Sequence, residues 1–246
     1  MQIAARSLVR VVLVLSVFGL VTPCFAVEKQ RIEVNDYAIQ AVISPQTHQI
    51  KAQARVRFTA LDDITIAIFE LHDALRPTRV LEASGQPLSV ERVSQDSTIR
   101  ISLPNGLTKG SSDTLTFEYE GAIQSGDDSP VPGLKLAYIG DPTTYLLYAG
   151  RWFPMVGYGI DRFTSTISIS VPSEYSVIGS GKQTSGAAPE AGADASARKG
   201  STAHVPLGKL AVPTGYKTVT FSYEDRPSFP GTILIGKYEQ TKNNEG

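Results

Sequence analysis

Ile50-Lys51-Ala52-Gln53-Ala54-Arg55-Val56-Arg57-Phe58-Thr59-Ala60 carries an apolar residue at every even number and a polar one at every odd number. Successive strand side chains point to opposite faces, so this period of two predicts an extended segment with one face buried. Upstream, Ile32, Val34, Tyr37 or Ala38, Ile39, Ala41 and Ile43 lie mostly two apart. Between the two runs Ser44-Pro45-Gln46-Thr47 is turn chemistry, which predicts adjacent antiparallel strands. Downstream, Ile64 to Leu71, Leu88 to Val93, Thr98 to Leu103 and Thr114 to Tyr119 alternate likewise, and Pro77 to Ala83 is another short extended piece. Gly85-Gln86-Pro87, Gln95-Asp96-Ser97 and Pro104-Asn105-Gly106 punctuate them. Extended runs resume at Leu134 to Ile139, Tyr145 to Tyr148, Phe163 to Val171, Tyr175 to Ile178, Lys217 to Tyr223 and Gly231 to Tyr238. No window sustains a helical stripe. Roughly a dozen short strands define an all-β fold, a large antiparallel β-sandwich or saddle-like double sheet.

The chain has 246 residues, 41% of them hydrophobic, enough to bury a sizeable core. Lys and Arg number 23 against 24 Asp and Glu, a net charge of −1, so the basic excess that neutralises phosphates is missing and nucleic acid is not an expected partner. Arg6 and Arg10 precede an apolar run, Val11 to Val21, and Thr22-Pro23-Cys24-Phe25-Ala26 follows with a helix breaker and a small residue. This is the pattern of a signal peptide over residues 1–26, cleaved after Ala26, and it predicts a periplasmic or extracellular protein of residues 27–246. The apolar run falls short of the roughly 20 residues that span a bilayer, so no membrane span is expected after cleavage. Cys24 is the sole cysteine and excludes an internal disulfide framework. Two stretches depart from the strand pattern. Gly121 to Pro132 is a polar loop with Asp127-Asp128, and residues 179–203 collapse to Gly, Ala, Ser, Lys and Glu, a low-complexity excursion that buries no core.

Residue types that carry chemistry are sparse. His48, His72 and His204 each stand alone, without the spacing that makes side chains converge on zinc, and each reads as an isolated histidine. Gly231 to Lys237 matches most of a phosphate loop, but Tyr238 stands where a Ser or Thr would hold magnesium, and the intervening residues read as a buried strand. A G-x-S-x-G elbow is missing. Asp62-Asp63 would face opposite ways on a strand, and Asp127-Asp128 reads as a solvated loop. Trp152 and Phe153, beside Tyr145, Tyr148 and Tyr158, form the densest aromatic group, either core packing at a sheet corner or a ligand surface.

In order, Asp36 to Ser44, His48 to Ala60, the strand ending in Leu71-His72, Leu103 to Gly110, Leu115 to Gly121, Arg151-Trp152-Phe153-Pro154 and Ile167 to Pro172 resemble the N-terminal domain of the M1 zinc aminopeptidases, the aminopeptidase N family. The resemblance covers residues 35–121 and 145–181. It implies a non-catalytic β-sandwich domain that packs on a metallopeptidase catalytic domain or chain and helps enclose its peptide cleft. The family's H-E-x-x-H, distal Glu and G-A-M-E-N loop are absent from this sequence, so no catalytic, cofactor-binding or metal-binding residue is expected in it, and zinc would belong to the missing domain. Where the family lends a Gln or Glu to the substrate's amino group, this chain reads Thr144-Tyr145-Leu146-Leu147-Tyr148 and offers neither. A truncated or split gene product is the expectation. The alternatives are a free-standing exported module binding a protein, peptide or glycan, and a small hydrolase with dispersed catalytic groups. A domain that covers a partner should show an exposed apolar patch, whereas a free-standing module should keep its contacts in loops.

Overall fold

The structure is a computed structural model, and it describes residues 31–124, 133–157, 163–184, 207–208, 210–224 and 231–238. The signal peptide, Asp127-Asp128, Tyr158, His204 and most of the low-complexity tract lie outside the described residues. The alternating stretch at residues 50–60 is strand β2 (Gln49–Ala60), which pairs antiparallel with β1 (Ile32–Ser44) on one side and β7 (Ser112–Ala122) on the other. A 3-10 turn, Pro45–Thr47, joins β1 to β2 and is closed by His48 at φ 60°. The first predicted pair is therefore formed as read.

Seven strands make the main sheet, in the order β12 (Lys182–Thr184), β13 (Tyr216–Tyr223), β10 (Thr164–Pro172), β1, β2, β7, β4 (Leu75–Leu81). Every junction is antiparallel except β1 with β10, which run parallel. Pro77, which has no N–H for a ladder, sits on the edge strand β4 beside a register shift, where such a residue is tolerated. A three-stranded sheet of β3 (Ile64–Glu70), β6 (Thr98–Leu107) and β5 (Val90–Val93) and a four-stranded sheet of β11 (Ser176–Gly179), β14 (Ile233–Gly236), β9 (Thr143–Leu146) and β8 (Ala137–Tyr138) complete the fold. Among the described residues the helical turns are 3-10 only.

Register shows how the main sheet divides its two faces. Phe221, Ile167, Ile39, Ala54, Phe117 and Val80 stand side by side across six strands, all buried on the core side. One residue along, Thr184, Thr220, Ser168, Gln40, Gln53, Glu118 and Arg79 form a polar row across all seven strands on the opposite face. Phe69 of β3 closes the core at one end, edge-on to Phe58 (centroids 5.8 Å) and to Phe117 (5.0 Å), the geometry that aromatic quadrupoles prefer. At the other end Tyr37 meets Phe153 at 5.2 Å and Phe163 at 4.8 Å. Gly121 is fixed by close approach, because a Cβ there would lie 2.0 Å from the Ala74 carbonyl oxygen.

Candidate docking face and the segment that anchors it

The Arg151-Trp152-Phe153-Pro154 segment is core. Trp152 and Phe153 are 0% and 1% exposed, and the indole N–H donates to the Gly231 carbonyl at 2.7 Å. Met155 and Glu70 exchange main-chain hydrogen bonds of 2.7 and 3.0 Å, and the His72 N–H donates to the Arg151 carbonyl at 2.8 Å. The segment is thereby stitched to the end of β3. Arg151, at φ 53°, sets its guanidinium 2.6 Å from the Glu70 carboxylate, with side chains 12% and 20% exposed. Burial pushes the Glu70 carboxyl above its ordinary range, against the pull of Arg151 and of a hydrogen bond from the Gly157 main chain.

This stitching holds the four-stranded sheet, whose two faces differ sharply. Gly179, Ile233, Leu146 and Ala137 are register neighbours turned toward the core, and all but the glycine are buried. The adjacent row is Ile178, Leu234, Tyr145 and Tyr138, one residue from each strand, on the other face. Ile178 is 56% exposed, and Leu234, Tyr145 and Tyr138 are half-buried. Tyr238, 47% exposed, lies over Gly236 on the same face, where a Cβ on that glycine would come 2.6 Å from the ring. Leu134, 54% exposed, precedes β8. The Tyr138 and Tyr145 rings tilt together at 5.9 Å, with the Lys135 ammonium 5.8 Å from the Tyr138 centroid. The result is a continuous aliphatic and tyrosine surface across a whole sheet.

Its supports are polar and paired. His48 donates from Nδ1 to the Ile139 carbonyl at 2.6 Å, and Ile139 in turn donates to the Ile123 carbonyl at 2.9 Å. Buried Thr144 bonds both the N–H and the carbonyl of Gly140, each at 2.9 Å. In the β8–β9 turn Asp141 accepts the Tyr175 hydroxyl at 2.6 Å, and Lys237 pairs with the same carboxylate at 2.9 Å. These bonds hold the Asp141 carboxyl below its ordinary range and raise Lys237, while burial chiefly raises Tyr175.

The other residues singled out in the sequence fall elsewhere. His72 is 1% exposed, and its Nδ1 accepts the Ala74 N–H at 3.1 Å. His48 is committed to Ile139. Among the described residues no three His, Cys, Asp or Glu side chains gather for a metal. Asp63, in the β2–β3 turn, accepts the Lys109 N–H at 2.8 Å and so ties that turn to the β6–β7 turn. Residues 233–236 of the phosphate-loop-like stretch are strand β14, as their sequence suggests. The aromatic group splits, with Trp152, Phe153 and Tyr148 packed inside and Tyr145 facing out. Sequence reasoning missed the Ile178–Leu234–Tyr145–Tyr138 row. Its one local sign is the contrast between Tyr145 and its inward neighbours Thr144 and Leu146.

No family model matches this chain, and no curated protein matches it by sequence. Solved structures do. The M1 zinc metallopeptidase from Deinococcus radiodurans is 18% identical with a TM-score of 0.61, the match covering 84% of this chain and 42% of that one. A mutant of the Deinococcus radiodurans enzyme bound to a Tyr-Ser-Ala substrate matches with 17% identity, TM-score 0.61 and the same coverage. A mutant two-domain M1 zinc metallopeptidase bound to L-arginine matches with 18% identity and TM-score 0.60, over 85% of this chain and 43% of that one. The chain thus has the fold of a domain-sized part of M1 zinc metallopeptidases, and it spans about 42% of the length of the structures it matches.

Proposed function

We propose that this chain is an exported, non-catalytic β-sandwich component that packs the outer face of its four-stranded sheet against a metallopeptidase catalytic domain or chain and helps enclose its peptide cleft. The observation that carries this reading is the unbroken Ile178–Leu234–Tyr145–Tyr138 row, with Tyr238 over Gly236 beside it. A contiguous apolar surface of this kind marks an interaction site, and its tyrosines combine a large apolar body with a polar tip. The fold of a metallopeptidase part supplies the class of partner. Zinc, in this reading, belongs to the partner.

Two experiments test it together. A photo-crosslinking amino acid at position 145, in the full chain expressed in its source cell, should trap a polypeptide carrying H-E-x-x-H, and the same probe at exposed Thr65 on β3 should not. The purified chain alone should neither hydrolyse aminoacyl amides nor retain stoichiometric zinc. Zinc-dependent turnover by the chain alone, or trapping that does not depend on position, refutes the proposal. A free-standing binding module would trap a protein without a metallopeptidase signature.

A further inference from the structure

The side chains that an oxidant usually attacks first are out of reach over the body of this fold. Cys24, the sole cysteine, falls within the predicted signal peptide. Met1 aside, the one methionine is Met155, and both it and Trp152, the sole tryptophan, are 0% exposed. Among the described residues Tyr37, Tyr119, Tyr148, Tyr175 and Tyr223 are buried as well. Tyr138, Tyr145, Tyr216 and Tyr238 are the described tyrosines that reach solvent. An oxidant that approaches the described surface therefore meets phenols before it meets sulfur or indole.

Two of these four are held against each other. Tyr138 on β8 and Tyr145 on β9 are register partners in an antiparallel pair and stand on the same outward face of the four-stranded sheet. Side chains directly opposite in such a pair leave the backbone about 5 Å apart. Their ring centroids lie 5.9 Å apart with 36° between the planes, which brings the rim carbons of the two rings near van der Waals contact. The hairpin that carries them is fixed, because Leu146 and Ala137 are buried and Thr144 bonds both the N–H and the carbonyl of Gly140, each at 2.9 Å. The other two tyrosines are placed differently. Tyr216 shares a hydrogen bond of 2.7 Å with the Ser44 hydroxyl, and Tyr238 lies over Gly236.

We propose that Tyr138 and Tyr145 are an oxidative cross-linking site, converted to dityrosine by hydrogen peroxide and a one-electron oxidant of the peroxidase class. Each phenol gives up one electron and its hydroxyl proton. The two radicals join through ring carbons next to the C–O carbons, and the hydrogens displaced from those carbons return to the oxygens and restore both phenols. Two tyrosines and one hydrogen peroxide thus become one dityrosine and two waters, the peroxide being reduced and the tyrosines oxidised. The new carbon–carbon bond would tie β8 to β9, in a chain whose only cysteine lies in the predicted signal peptide and leaves no disulfide to do so. This site goes beyond the docking reading and does not depend on it.

The test is oxidation of the purified chain, kept dilute, by a haem peroxidase and hydrogen peroxide, with free tyrosine in a parallel reaction to show that coupling occurs. Proteolytic cleavage before Asp141 separates Tyr138 from Tyr145. In the oxidised monomer the two resulting peptides should therefore stay joined, at their summed mass less two hydrogens, with dityrosine fluorescence. Tyr145→Phe has no phenol to couple and should abolish that joined species. Its absence under conditions that couple free tyrosine overturns the proposal whether or not the variant folds. So does an equal yield of links between other tyrosines, or a link found only between separate chains. Because no partner is present, none of these results bears on the docking reading, which the crosslinking at position 145 tests separately.

Discussion

Arg151→Met tests how the Trp152 segment is held. The substitution keeps an apolar stem of similar length and removes the guanidinium 2.6 Å from Glu70. Both side chains are largely buried, 12% and 20% exposed, so the carboxylate left behind has little solvent to turn to. Removing one partner of such a pair costs about 3–5 kcal/mol. For a chain of this size that is a fall in Tm of roughly 10 °C. Glu70→Gln on the Arg151→Met background should recover most of the loss, because the uncompensated charge is gone. The pH dependence carries its own sign. A carboxyl raised above its ordinary range binds its proton in the folded chain at a pH where the unfolded chain has released it, so stability falls as pH rises from the ordinary carboxylate range through the raised value, then levels. Without Arg151 the raising deepens and the decline extends to higher pH, so the Arg151→Met penalty should shrink on acidification. Urea unfolding followed by fluorescence of Trp152, the sole tryptophan and fully buried, reads both effects. A penalty below about 1 kcal/mol at neutral pH, or one that does not change with pH, refutes this account of the pair.

Other perturbations separate structural from docking residues. Gly121→Ala drives a Cβ to within 2.0 Å of the Ala74 carbonyl oxygen and should cost about 3 kcal/mol in thermal unfolding. If the proposed docking holds, Tyr145→Ser with Ile178→Ser should change stability by about 1 kcal/mol or less yet abolish trapping by a crosslinker placed at position 138, because these side chains face away from the core. Asp141→Asn removes a carboxylate held below its ordinary range by Tyr175 and Lys237. Its contribution is present above the ordinary carboxylate pKa and is lost as pH falls through the depressed value, so the acid limb of the stability curve should flatten in the variant.

Where one face of a strand is buried and the other wet, the alternation was legible. β2 shows this best, with Ile50 to Phe58 at 0 or 1% exposure on the even side. β1 was harder to read because Tyr37 through Ile43 are all buried, both faces being covered, and a register shift between Val34 and Asp36 switches which residues look inward. The ambiguity between Tyr37 and Ala38 is the imprint of that shift. The parallel pairing of β1 with β10 had no local sign, since Asp36 meets Thr164 across a sequence separation that no turn chemistry records. Trp152 and Phe153 were legible as an aromatic cluster with core packing as one of its two readings, and the structure bears out that reading; what the sequence did not record is that Gly231 and Glu70 arrive from distant parts of the chain to complete the burial. The outward Ile178–Leu234–Tyr145–Tyr138 row was invisible in the sequence. Its members come from four strands whose order, β11-β14-β9-β8, is not their order in the chain.

The two outward faces of the fold make opposite demands on whatever covers them. On the main sheet the polar row is already paired within itself, as where Ser168 meets Thr220 and Ser170 meets Thr218, each at 2.8 Å, and Glu118 holds Arg79. A partner there must match hydrogen bonds, because covering polar groups without replacing their water costs free energy. On the four-stranded sheet the row is aliphatic and aromatic, and each Å² withdrawn from water is worth about 25 cal/mol with no donor to satisfy. Among the described residues Lys135 is the one cation at its tyrosines, and Lys237 is engaged by Asp141. Association through this face should therefore be driven by apolar burial, with a negative heat-capacity change and an affinity nearly independent of salt. Calorimetry of the full chain with its crosslinked partner, at low and at high ionic strength, measures both. A steep loss of affinity with salt would place the contact on a charged surface and remove the tyrosine face from it.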